Sequence, residues 1–130
     1  MMTAQKKRIV YIEDEPEMIR LVRLIFRHEP IELIGAVGGL DGLALIQSLK
    51  PDLVLLDLMM PGLDGWEVYQ RMKEHTEMKD IPVIVVTVRS TRVDRALGLH
   101  IKKVDGYITK PFELNDLIDN VHDVLYRSHA

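Results

Sequence analysis

Five short apolar runs rich in β-branched residues recur along the chain, at 8–13, 31–37, 52–57, 82–87 and 105–109. Most are apolar throughout (RIVYIE, DLVLLD, PVIVVT) rather than alternating. A strand of that kind is buried on both faces, which is the signature of a parallel sheet covered by helices.

The segments between the runs have helical period. The first opens at Asp14 and Pro16 and carries Met18, Ile19, Val22, Ile25 and Phe26 at three/four spacing, with Pro near the first helical position. The second follows Gly38-Gly39, carries Leu43, Ile46 and Leu49, and stops before Pro51. In the third, Asp64 and Glu67 form a variant capping box ahead of Trp66 or Tyr69 with Val68 and Met72. A fourth, from Ser90 or Thr91, has a thin stripe of Val93, Ala96 and Leu97. The last is the clearest, with Leu114, Leu117, Ile118, Val121, Val124 and Leu125 along one face. The chain therefore reads as β-α five times over: an α/β domain with right-handed crossovers and helices on both faces of a mostly parallel sheet.

At 130 residues the chain suits one domain with a single core and no staples. The absence of Cys removes disulfides, thiolate metal sites and cysteine nucleophiles. Twenty acidic against 17 basic residues argue against a nucleic-acid groove, so no direct nucleic-acid binding is expected of this chain. No apolar run approaches the roughly 18 residues of a membrane span, and the start lacks a secretory apolar stretch, so the expected location is the cytoplasm. The five His have no metal-ligand spacing and read as solvated or capping residues.

In open parallel sheets, ligands bind beyond the carboxyl ends of the strands. Here those ends are polar: Glu13-Asp14 after the first run, Asp57 after the third, Thr87 at the fourth, and Lys110-Pro111 after the fifth. Each has an ordinary explanation alone. Asp14 suits a helix cap, Asp57 a turn, Thr87 a strand, and Lys110 a solvated surface. Their shared placement on one rim is what points to a site. Two carboxylates about 5 Å apart at an effective dielectric of about 20 repel by roughly 3 kcal/mol. Three would take up protons or recruit a cation, and hard oxygen donors favour Mg²⁺ or Mn²⁺. A divalent ion beside a carboxylate and a lysine suits phosphoryl transfer, with one carboxylate as nucleophile.

The strings YIEDEP, PDLVLLDLMMPGLDGWE, IPVIVVT and DGYITKPF, taken together, resemble the receiver domain of two-component response regulators over nearly the full chain. The resemblance implies a flavodoxin-like, doubly wound (βα)5 fold with strand order 2-1-3-4-5, a receiver domain over 8–127, and short tails at 1–7 and 128–130. By the same resemblance Asp57 is the phosphoacceptor, and Glu13, Asp14, Asp57 and the Met59 backbone carbonyl hold Mg²⁺. Lys110 pairs with the phosphoryl group and Thr87 donates its hydroxyl to it. The Lys110–Pro111 peptide is expected to be cis. Tyr107 resembles the aromatic switch residue that turns inward as Thr87 moves, altering the surface of the fourth helix, fifth strand and fifth helix. The implied partners are a sensor histidine kinase or histidine phosphotransfer protein and a downstream protein, with the chain a monomer or a weak phosphorylation-dependent dimer. No output domain is expected within this chain, and its chemistry is confined to its own phosphorylation and dephosphorylation.

Some positions depart from the family pattern. Val88 stands where a small residue is usual, and Lys103-Val104 replace a Gly-Ala pair. Met59 and Arg89 flank the expected path of the attacking water, so Met59, Val88 and Arg89 are the candidate rate-tuning residues. Two other readings compete: a degenerate receiver that binds a partner without phosphorylation, and a Mg²⁺ phosphatase with an Asp nucleophile. The phosphatases of the haloacid-dehalogenase type need a second Asp two residues after the first, where this chain has Met59. A flavodoxin is disfavoured because EDEPE would repel a flavin phosphate.

Overall fold

The structure is a computed structural model that describes residues 6–88 and 104–127. Five strands form one parallel sheet: β1 (Lys7–Ile12), β2 (Ile31–Ala36), β3 (Leu53–Leu56), β4 (Val83–Val88) and β5 (Gly106–Lys110). Their spatial order is β2-β1-β3-β4-β5, as expected of a flavodoxin-like domain. Four helices lie among the described residues: α1 (Pro16–Ile25), α2 (Gly39–Leu49), α3 (Gly65–Glu74) and α4 (Leu114–Leu125). The expected helix near Ser90 or Thr91, together with Arg89 and Lys103, lies outside the described residues.

The uniformly apolar runs form the centre of the sheet. All four residues of β3 are buried, as are the last four of β1. Alternate residues then feed two cores. Val10, Ile12, Val54, Leu56, Val83 and Val85 pack with Ile46 of α2 and Val68, Tyr69 and Met72 of α3. Ile9, Tyr11, Leu53, Leu55, Ile84, Val86 and Ile108 pack with Ile19 and Val22 of α1 and Leu117, Val121 and Val124 of α4. Full burial of each such aliphatic side chain contributes roughly 1.5–3 kcal/mol. The sheet is thus apolar on both sides, and polar groups can gather only at its ends.

β3 is shorter than its apolar run because Asp52 and Asp57 lie just beyond it, yet both remain tied to β1. Asp52 N donates to Arg8 O at 2.8 Å, and Asp57 N donates to Ile12 O at 3.0 Å. Leu114 departs from the expected stripe of the last helix and is exposed. Leu114 is the first residue of α4, and the buried face starts one turn later at Leu117.

Candidate functional site

Glu13 leaves β1 directly after its buried segment and is itself fully buried. Asp14 follows it but does not cap α1. The N-cap is Glu15, without a side-chain cap bond, and Pro16 begins the helix. Asp14 is thereby not committed to the helix end and faces the rim beside Glu13. Asp57 is buried at the end of β3 and does open a turn, its Oδ1 accepting Met59 N at 3.0 Å. Both readings of Asp57 therefore coexist in one side chain. Glu13, Asp14 and Asp57 each offer a carboxylate oxygen within 4.8 Å of the others. This is the one such acidic, histidine or cysteine group among the described residues.

The loop after Asp57 is shaped by two glycines and one cap. Gly62 adopts a positive φ of 77°, a conformation that side chains disfavour. Asp64 Oδ1 accepts Glu67 N at 3.0 Å and starts α3, as the capping-box spacing predicts. Gly65 lets that helix start press against the acidic site: a Cβ there would stand 2.2 Å from Asp57 O and 2.6 Å from Leu58 Cα.

Lys110 closes the site from the end of β5. Its Nζ donates to Glu13 Oε2 at 2.6 Å and to Asp57 Oδ2 at 3.3 Å. The Lys110–Pro111 peptide is cis. Burial raises the Glu13 carboxyl from its ordinary 4.5 to about 7; the Lys110 hydrogen bond opposes that rise, and the Asp57 charge adds to it. For Lys110, burial alone would favour the neutral amine. The hydrogen bond to Glu13 and the charge of Asp57 outweigh it and hold the ammonium above its usual range. One cation therefore sits against two carboxylates, with a third beside them. The donor set is all oxygen and suits a hard divalent cation.

Strand parity divides the remaining residues. Val88 pairs with Lys110, Thr87 with Thr109 and Val85 with Tyr107. Thr87 and Tyr107 share the sheet face of Val85, toward the α2 and α3 core, whereas Lys110 shares that of Ile108, toward α1 and α4. Thr87 is fully buried, and neither Thr87 Oγ1 nor Tyr107 Oη has a hydrogen-bond partner among the described residues. Met59 and Val88 are exposed at 38% and 44% beside this rim.

Tyr11 was not among the residues that the sequence singled out. It is fully buried in β1, and its Oη donates to Glu13 Oε2 at 2.9 Å. A tyrosine two positions before an acid in a buried strand is the available signal, since both side chains leave the same face and a buried hydroxyl needs an acceptor. Burial, and then the Glu13 charge, hold its phenol above the ordinary range, so it is a neutral donor.

The comparisons agree with this geometry. The response regulator receiver domain family matches residues 9–122. The chain is 36% identical over 121 residues to the DNA-binding dual master transcriptional regulator RpaA of Synechocystis sp., a match that covers 93% of this chain and 50% of that protein. The chain thus spans about half the length of this curated relative. The signal receiver domain of a Vibrio parahaemolyticus protein superposes with a TM-score of 0.84 at 26% identity, covering 94% of this chain and 92% of the other. The receiver domain of the Francisella response regulator 1452 gives a TM-score of 0.81 at 25% identity, covering 95% and 100%. With the family matched across nearly all of the sheet and the acidic rim at its strand ends, the chain belongs to the response regulator receiver domain family.

Proposed function

We propose that this chain is a signalling switch that accepts a phosphoryl group on Asp57 from a histidine kinase or a histidine phosphotransfer protein. The observation that carries the reading is the bridge made by Lys110 Nζ to Glu13 Oε2 at 2.6 Å and Asp57 Oδ2 at 3.3 Å, beside a third carboxylate. An Asp57 oxygen bonds to phosphorus as the P–N bond of the donor phosphohistidine breaks. The imidazole nitrogen keeps the electron pair and takes up a proton. Water later attacks phosphorus, and inorganic phosphate leaves with the carboxylate restored.

Glu13, Asp14, Asp57 and the Met59 carbonyl would hold Mg²⁺, which supplies positive charge against the phosphoryl oxygens when bound. Lys110 and Thr87 donate to those same oxygens, and the buried Thr87 hydroxyl, without a partner among the described residues, suits that role. Tyr107 lies one step down the same face from Thr87 and is the switch residue of this reading. The surface that changes toward a downstream partner is that of β5, α4 and the expected helix after Ser90 or Thr91, which lies outside the described residues. Met59, Val88 and Arg89 tune how fast water reaches the phosphoryl group; Arg89 lies outside the described residues.

Incubation with acetyl phosphate and Mg²⁺ tests the reading. The intact mass of the native chain gains one phosphoryl group, and that of Asp57→Ala does not. If neither acetyl phosphate nor a cognate kinase leaves an adduct on the native chain, the domain is a binding module without phosphorylation.

A further inference from the structure

Glu13 Oε2 accepts from two donors at once, Lys110 Nζ at 2.6 Å and Tyr11 Oη at 2.9 Å. The other oxygen, Oε1, accepts Glu15 N at a long 3.4 Å. Lys110 is the more mobile of the two donors, because a four-carbon stem carries its ammonium. The Tyr11 ring is fully buried among Ile9, Ile19, Phe26 and Leu55 and cannot follow it. We infer that Tyr11 is a positioning residue whose phenol holds Glu13 in place when Lys110 turns from Glu13 to the phosphoryl oxygens; this rests on the phosphoryl-accepting reading above. Without the phenol, departure of Lys110 would leave the buried Glu13 carboxylate, a proposed metal ligand, with the long bond to Glu15 N as its one remaining protein donor among the described residues, and so less firmly held for the ion. A neutral donor also keeps Glu13 in place without adding a second positive charge to compete with a metal ion.

The role predicts a dependence on state. While Lys110 still serves Glu13, loss of the phenol matters little. Once Lys110 serves a phosphoryl group, the phenol is the remaining strong donor. Tyr11→Phe keeps the ring and removes only the O–H. Calorimetric Mg²⁺ titration is run on the native chain and on Tyr11→Phe, each alone and with saturating beryllofluoride, an acyl-phosphate mimic. Tyr11→Phe is expected to weaken Mg²⁺ binding roughly ten-fold with beryllofluoride, on the scale of one hydrogen bond to a charged group. Without the mimic, the loss is expected to be several-fold smaller. In a Glu13→Gln background, Tyr11→Phe adds no further difference between the two states.

An equal loss in both states, or no loss in either, overturns the inference while leaving the receiver reading intact. If Tyr11→Phe does not fold, Tyr11→Leu, which also lacks the hydroxyl and leaves Glu13 itself unchanged, must give the same state-dependent loss. If the native chain takes up neither beryllofluoride nor a phosphoryl group with Mg²⁺, the receiver reading itself falls, and the inference with it.

Discussion

Lys110 Nζ lies 2.6 Å from Glu13 Oε2 although 97 residues separate them in the chain. The pairing holds because β5 and β1 end at the same edge of one parallel sheet. It ties Glu13, Asp57 and Lys110 into one electrostatic unit, in which the Asp57 charge acts on both Glu13 and Lys110.

Glu13 links that unit to pH. Its carboxyl is raised from 4.5 to about 7 in the folded, metal-free chain. It therefore holds its proton more tightly folded than unfolded, and the resulting stabilisation is complete below about 4.5 and lost as pH rises through about 7. Urea midpoints in EDTA should fall across that window. Glu13→Gln should flatten the profile; an unchanged slope would refute the assignment.

Asp57→Asn removes one of two carboxylates that share a single ammonium. The metal-free fold should gain on the order of 1 kcal/mol from reduced repulsion. The gain should shrink at saturating Mg²⁺, because the native chain alone keeps its full set of charged donors. Paired denaturation curves with and without Mg²⁺ check both signs.

Gly65→Ala forces a Cβ to within 2.2 Å of Asp57 O, a backbone atom that no side-chain rotation can move aside. A loss of roughly 2–4 kcal/mol is expected, at the upper end of typical core overpacking. Phosphorylation by acetyl phosphate should fall with it, because the displaced backbone carries Asp57. A fully stable variant with native uptake would contradict the tight approach seen here.

Asp64→Ala removes the side chain that accepts Glu67 N at the start of α3. Loss of a cap of this kind costs about 1 kcal/mol. Asp64→Ser should recover most of it. Thermal denaturation followed by circular dichroism separates the two variants.

The strands were legible because a sheet covered on both faces leaves no place for alternation. VLL within β3 and VYI within β1 are buried without exception. Glu13, Asp14, Asp57, Thr87 and Lys110 were legible as a group because they interrupt those runs at the same end. Other features depended on distances that no local pattern carries. The closeness of Gly65 to Asp57 belongs to the packing of α3 on the sheet rim. Tyr11 passed as an ordinary strand former, since aromatic residues favour strands for their packing alone. Asp14 had the residue type of a helix cap, but Glu15 took that position when Pro16 began the helix.

Lys110 and Thr87 rise from neighbouring strands yet belong to opposite faces of the sheet. Any small anion gripped by both would straddle its edge like a clasp. One helical layer would then be drawn against the other from a single point, and a chemical event a few ångströms wide would acquire leverage over the whole thickness of the domain.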